Sequence, residues 1–89
     1  MSVIPVSVAI IAKDEARHIA AAIASVTGRV AEIVVLVDQR SSDATATIAA
    51  DAGARVLIEA WRGFPGQRNL ALSVCTQPWV FFLDADERV

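Results

Sequence analysis

Three carboxylates fall within four residues at Asp84-Ala85-Asp86-Glu87, directly after the apolar run Trp79-Val80-Phe81-Phe82-Leu83. An apolar run of this length reads as a buried strand, which places the acids at its carboxyl end, where open α/β sheets bind ligands. Carboxylate oxygens are the donors that Mg²⁺ and Mn²⁺ take. In an extended segment residues i and i+2 point to the same side, so Asp84 and Asp86 are expected to offer oxygens together to one divalent cation, or to a cation and a ribose. A solvated acidic loop is the quieter reading. It does not account for two such acids beside a basic loop at a strand's carboxyl end.

The elements that must position these acids alternate regularly. Hydrophobic patterning predicts strands over 6–12, 32–37, 54–58 and 79–83 and helices over 14–26, 45–52 and 67–74, with 61–66 (Trp-Arg-Gly-Phe-Pro-Gly) as a loop. Alternating strand and helix argue for an α/β fold built on a parallel sheet with right-handed crossovers. Every strand-to-helix turn of such a sheet lies on one edge. Lys13-Asp14-Glu15, Asp38 to Asp43, the loop reaching Arg68, and Asp84 to Glu87 are therefore expected on a single rim. Acids for a metal, an Asp for a base or sugar hydroxyl, and Arg62 and Arg68 for phosphate are the parts of nucleotide recognition. No Gly-x-Gly-x-x-Gly follows the first strand and no Gly-x-x-x-x-Gly-Lys-Ser/Thr occurs anywhere, which disfavours a dinucleotide-type Rossmann domain and a P-loop NTPase. A carboxylate-held metal is the natural substitute for a phosphate loop.

Composition agrees with one small domain. A chain of 89 residues buries only about 60–65% of its unfolded surface. With 55% hydrophobic residues and only 6% aromatics, its core is built from Ala, Val and Ile, which suits parallel strands under Ala-rich helices. The net charge of −2 gives no electrostatic footprint for nucleic acid or an anionic membrane. Cys75, the single cysteine, has no internal disulfide partner and reads as a small core residue. No apolar stretch approaches the roughly 20 residues of a transmembrane helix, and the start lacks a signal-peptide pattern; the expectation is a soluble, cytoplasmic domain. Among the remaining side chains, Asp43 is expected to cap or close a turn, His18 to lie on a helix surface, Trp79 to pack in the core, and Arg62 to be a solvated loop charge or a phosphate contact.

Taken as a set, Val8-Ala9-Ile10-Ile11-Ala12-Lys13-Asp14-Glu15, Glu32-Ile33-Val34-Val35-Leu36-Val37-Asp38 with Ser41-Ser42-Asp43-Ala44-Thr45, Gln67-Arg68-Asn69-Leu70-Ala71-Leu72, and Leu83-Asp84-Ala85-Asp86-Glu87-Arg88 resemble the amino-terminal half of a family 2 glycosyltransferase with the GT-A fold. The similarity covers essentially the whole chain. It is similar in particular to the bacterial branch that adds glucose to the lipopolysaccharide inner core. The resemblance implies a Rossmann-like GT-A amino-terminal half, with a mainly parallel sheet of about four strands and helices packed on its faces. Residues 1–89 would be the donor-binding part of a glycosyltransferase domain, cut off after the Asp-x-Asp motif.

Site residues follow from the same resemblance. Asp38 matches the acid that contacts the nucleotide base, and Arg68 a basic residue lining that pocket. The stretch from Ala12 to Glu15 matches the loop flanking the base. Asp84 matches the acid facing the ribose, and Asp86 the one that coordinates Mg²⁺ or Mn²⁺ across the diphosphate. The chain departs from the family pattern at Arg40 and Ala44, where glycine is commoner, and at Asp14, where asparagine is. The implied reaction is an inverting transfer of a sugar from a nucleotide-sugar donor to a hydroxyl of a glycan or glycolipid acceptor, at the inner face of the membrane in cell-envelope synthesis. The general base is expected outside this chain, which alone should be inactive and should form a homodimer or higher oligomer through uncovered apolar surface. Two other readings remain open at this stage: a nucleotidyltransferase-like nucleotide-binding domain, and a non-catalytic oligomerising fragment.

Overall fold

A computed structural model describes residues 3–89. Its elements run β1 (Ile4–Ala12), α1 (Ile19–Ala24), β2 (Val30–Asp38), α2 (Thr45–Asp51), β3 (Arg55–Glu59), α3 (Gly63–Val74) and β4 (Trp79–Phe82). The four strands form one sheet in the order β3-β2-β1-β4, and every pairing is parallel. This is the α/β architecture expected from the alternation of patterns.

Alternation along β1 divides the core. Val8, Ile10 and Ala12 face α1 and α2 with Ile19, Ile23, Val35, Val37 and Ala49, while Ala9 faces the opposite side with Leu36 and Ala71 of α3. The central strands β1 and β2 are covered on both faces, which is why their sequences are continuous apolar runs. At the amino-terminal edge of the sheet a polar clamp ties four segments together. Glu32 accepts hydrogen bonds from Ser7 Oγ (2.6 Å) and the Thr76 backbone N–H (2.9 Å) and pairs with Arg55 (3.4 Å).

Three expectations need correction. The first helix begins at Ile19 rather than Asp14, because the backbone N–H groups of Glu15 and Ala16 donate instead to Thr45 Oγ1 (2.9 Å) and Asp43 Oδ2 (3.1 Å). Asp14 itself adopts a left-handed backbone conformation at φ 52°. The segment 61–66 is a loop only at Trp61 and Arg62, since α3 already starts at Gly63. Pro65 is tolerated because it falls in the first turn, where its missing N–H has no helical partner to lose. Gly66 has a stricter reason: a Cβ there would stand 2.6 Å from the Arg62 Cβ. Finally, Trp79 is not in the core but 69% exposed. It lies on edge strand β4, in register with Val6, on a face that α1 does not reach across.

Candidate functional site

Parallel pairing brings the carboxyl ends of all four strands to one rim, and with them most of the acids singled out from the sequence. Asp38 closes β2. It is 2% exposed, and both its oxygens are occupied by one residue: Arg40 donates from its backbone N–H (2.9 Å) and Nε (3.1 Å) to Oδ1, and from Nε (3.2 Å) and Nη2 (2.6 Å) to Oδ2. The Arg40 side-chain hydrogen bonds, reinforced by its backbone N–H, hold the Asp38 carboxyl down at about 2, and the same pairing raises the Arg40 guanidinium. Such a fork-to-fork contact is planar and geometrically specific.

Asp38 and Arg40 border a hollow of ≈ 400 Å³ whose other walls are Ile11, Ala12, Lys13, Glu15, Trp61 and Phe64. The two aromatic rings meet edge to face at 5.0 Å and 86°, and the Arg40 guanidinium carbon lies 6.0 Å from the Trp61 ring centre. The two loops that follow β1 and β2 beside this hollow are tied together by hydrogen bonds. Asp14 Oδ1 accepts the Ser42 N–H (2.7 Å), the Asp14 N–H donates to Ser41 Oγ (3.0 Å), and Asp43 accepts from Thr45 and Ala16. Asp43 thus supplies a hydrogen bond to the start of α2, the capping role expected of it. The Ser42 N–H lowers the Asp14 carboxyl, and the Thr45 hydroxyl lowers that of Asp43.

A smaller hollow of ≈ 80 Å³ adjoins the first, sharing Ile11 and Phe64 and adding Arg68, Phe82, Leu83 and Asp84. The Arg68 guanidinium carbon stacks 4.0 Å over the Phe82 ring. Ala12, Glu15 and Asp38 thus share one hollow, Arg68 and Asp84 the next, and Asp86 lines neither. The expected meeting of Asp38 with Arg68 is not made, because Arg40 occupies the carboxylate that Arg68 would approach. Arg62 pairs with Glu59 at 3.1 Å, the behaviour of a surface loop charge.

The acidic segment is shaped differently from the extended strand end assumed above. The Glu87 N–H donates to the Asp84 carbonyl (2.9 Å), and Glu87 Oε1 accepts the Asp84 N–H (2.9 Å), closing residues 84–87 into a turn. Asp84 and Asp86 are both exposed and, among the described residues, neither enters an ion pair. No cluster of three His, Cys, Asp or Glu side chains gathers to hold a metal among the described residues. Two free carboxylates on a turn nevertheless fit Mg²⁺ or Mn²⁺, hard cations that complete their shells with water and phosphate oxygens.

Arg40, Trp61, Phe64 and Ile11 were not singled out as site residues from the sequence. Arg40 carried a signal, as a charged residue in a turn where the resembled family favours glycine. Gln67 was not marked either: it is buried in α3, and neither its amide nitrogen nor its oxygen has a hydrogen-bond partner.

A parallel α/β sheet with two adjoining hollows at the carboxyl ends of its strands places its pockets where open α/β sheets bind ligands. The chain belongs to glycosyl transferase family 2, whose family model matches residues 7–89. An uncharacterized glycosyltransferase of Rickettsia felis is 44% identical over 84 residues, covering 94% of this chain and 29% of that protein. The lipopolysaccharide core biosynthesis glycosyltransferase LpsC of Rhizobium meliloti is 44% identical over 91 residues, covering 97% and 33%. Among solved structures, glucosyl-3-phosphoglycerate synthase from Mycobacterium tuberculosis, in complex with Mg²⁺ and uridine diphosphate, superposes with a TM-score of 0.79 at 26% identity, over 93% of this chain and 34% of that one. The chain therefore spans about a third of the length of these relatives. No helix among the described residues is long and apolar enough to cross a membrane.

Proposed function

We propose that these residues form the nucleotide-sugar-binding part of an inverting glycosyltransferase. The observation that carries this reading is the pair of adjoining hollows on the carboxyl rim, one walled by Trp61 and Phe64 above Asp38, the other opening on Asp84. Ala12 and Glu15 flank the base, Asp38 stands behind Arg40 at the base's edge, Arg68 lines the passage between base and phosphates, and Asp84 takes the ribose hydroxyls. Asp86, with Asp84 beside it, would hold Mg²⁺ or Mn²⁺, which neutralises charge on the leaving diphosphate. The bond from the anomeric carbon to the diphosphate breaks as one to the acceptor oxygen forms, and the acceptor's proton passes to a base that these residues do not supply.

The likeness to LpsC, named for lipopolysaccharide core biosynthesis, supports a glycan or glycolipid acceptor in cell-envelope synthesis. Calorimetric titration of the 89-residue chain with UDP tests the core of the proposal. Binding that strengthens when Mn²⁺ is added is the expected result; no binding with Mn²⁺ present would overturn it.

A further inference from the structure

Arg40 separates Asp38 from anything that enters the larger hollow. Asp38 is 2% exposed and accepts hydrogen bonds from Arg40 on both oxygens, whereas the Arg40 side chain is 58% exposed. An entering ring therefore meets the guanidinium first. Nε and Nη2 are turned to the carboxylate, and among the described residues Nη1 donates to nothing. A guanidinium offers donors only. Its partner on a ligand must be an acceptor, in the plane of a ring that can also lie against Trp61 and Phe64.

We infer that Arg40 reads the nucleobase in this hollow, selecting a base with a carbonyl oxygen on its edge, and that Asp38 is the positioning residue that aims it. The inference rests on the nucleotide-binding reading above and refines the share of Asp38 in it. Held by two side-chain hydrogen bonds and its own backbone N–H, the Arg40 fork loses little further freedom when it donates to a ligand, so the contact is preorganised. Uracil and guanine present carbonyl acceptors, whereas adenine offers only ring nitrogens, with N1 and N7 each beside an amino donor that faces the guanidinium unfavourably.

The test is a calorimetric panel of UDP, GDP and ADP against the 89-residue chain at fixed Mn²⁺. The parent is expected to bind UDP or GDP about tenfold more tightly than ADP, the scale of a charge-assisted hydrogen bond at a partly solvated site. Arg40→Ala should bring that ratio to within about twofold while leaving the strengthening of binding by Mn²⁺ in place. Arg40→Lys should not restore it, because an ammonium lacks the planar fork. Asp38→Asn should lose the same preference, and combining it with Arg40→Ala should cost nothing more, as expected of a residue acting through Arg40. An unchanged preference in Arg40→Ala, or a parent that binds all three nucleotides alike, overturns this inference and leaves the nucleotide site standing. A parent that binds none of them removes both.

Discussion

Asp86 and Asp38 separate two kinds of acid on the same rim. Asp86 is exposed on a turn and, among the described residues, makes no ion pair, so its removal should cost the fold little. Asp86→Ala is expected to weaken Mn²⁺-dependent binding of UDP by about 1–3 kcal/mol, with little change in metal-free affinity or in melting temperature, as read by paired calorimetry and thermal unfolding. Asp38 is spoken for by Arg40. Its folded-state value of about 2 lies below the ordinary 3.8, so the stability it contributes is present in full above about pH 4 and is lost as pH falls towards 2. Asp14 and Asp43 are shifted the same way and add to the same acid limb. Urea unfolding midpoints should therefore fall below pH 4, and Arg40→Ala should flatten part of that fall. The acids themselves were visible in the sequence, because carboxylates after an apolar run announce a strand end. Their pairing was not. Which cation reaches Asp38 depends on a two-residue turn, and the motif pattern pointed to Arg68 on another loop.

The start of α3 shows what decides an element where propensity does not. Gly63, Pro65 and Gly66 within four residues read as a loop, yet they open α3, with Gly63 itself left-handed at φ 79°. Close packing of Gly66 against the Arg62 side chain is the reason a glycine is needed, since an added Cβ would meet the Arg62 Cβ at 2.6 Å. Gly66→Ala is expected to destabilise the fold by about 1–3 kcal/mol, the usual cost of overpacking, despite the better helix propensity of alanine. Denaturant titration measures it; a gain in stability would show that the contact relaxes freely. Strands were legible because burial on both faces demands uninterrupted apolar runs, and β1, β2 and β4 lie within two residues of their expected limits. The first turn of α1 was not legible. The amides of Glu15 and Ala16 ahead of it are claimed by Thr45 and Asp43, which lie about thirty positions along the chain, and no local pattern encodes that.

Across the whole molecule, large apolar side chains are left uncovered beside β4. Ile4, Trp79, Phe81 and Val89 are between 48% and 69% exposed, and several of them border an apolar hollow of ≈ 300 Å³ beside β4. We propose that the isolated chain buries this face against a second copy. Each 100 Å² of apolar area removed from water is worth about 2.5 kcal/mol before association costs, and an interface of roughly 1,200–1,600 Å² is the ordinary size for a stable pair. Sedimentation should give a dimer or larger species, and Phe81→Glu should shift it to monomer; a parent that sediments as a monomer would refute this. The same 89 residues are expected to transfer no sugar by themselves, since they span only about a third of the length of their relatives.

Strand order also has a temporal side. β1 is made first yet lies between β2 and β4, and its pairing of Val6 with Trp79 joins residues from opposite ends of the chain. While the polypeptide is being synthesised, β1 can acquire β2 early but must wait until β4 has been made before its other margin is satisfied. Sheets closed by such distant pairings assemble slowly. The nascent chain thus carries a row of unclaimed amide and carbonyl groups along Val6 to Ala9 until translation has passed Phe82, and that interval is when a chaperone or a neighbouring nascent chain has its opportunity.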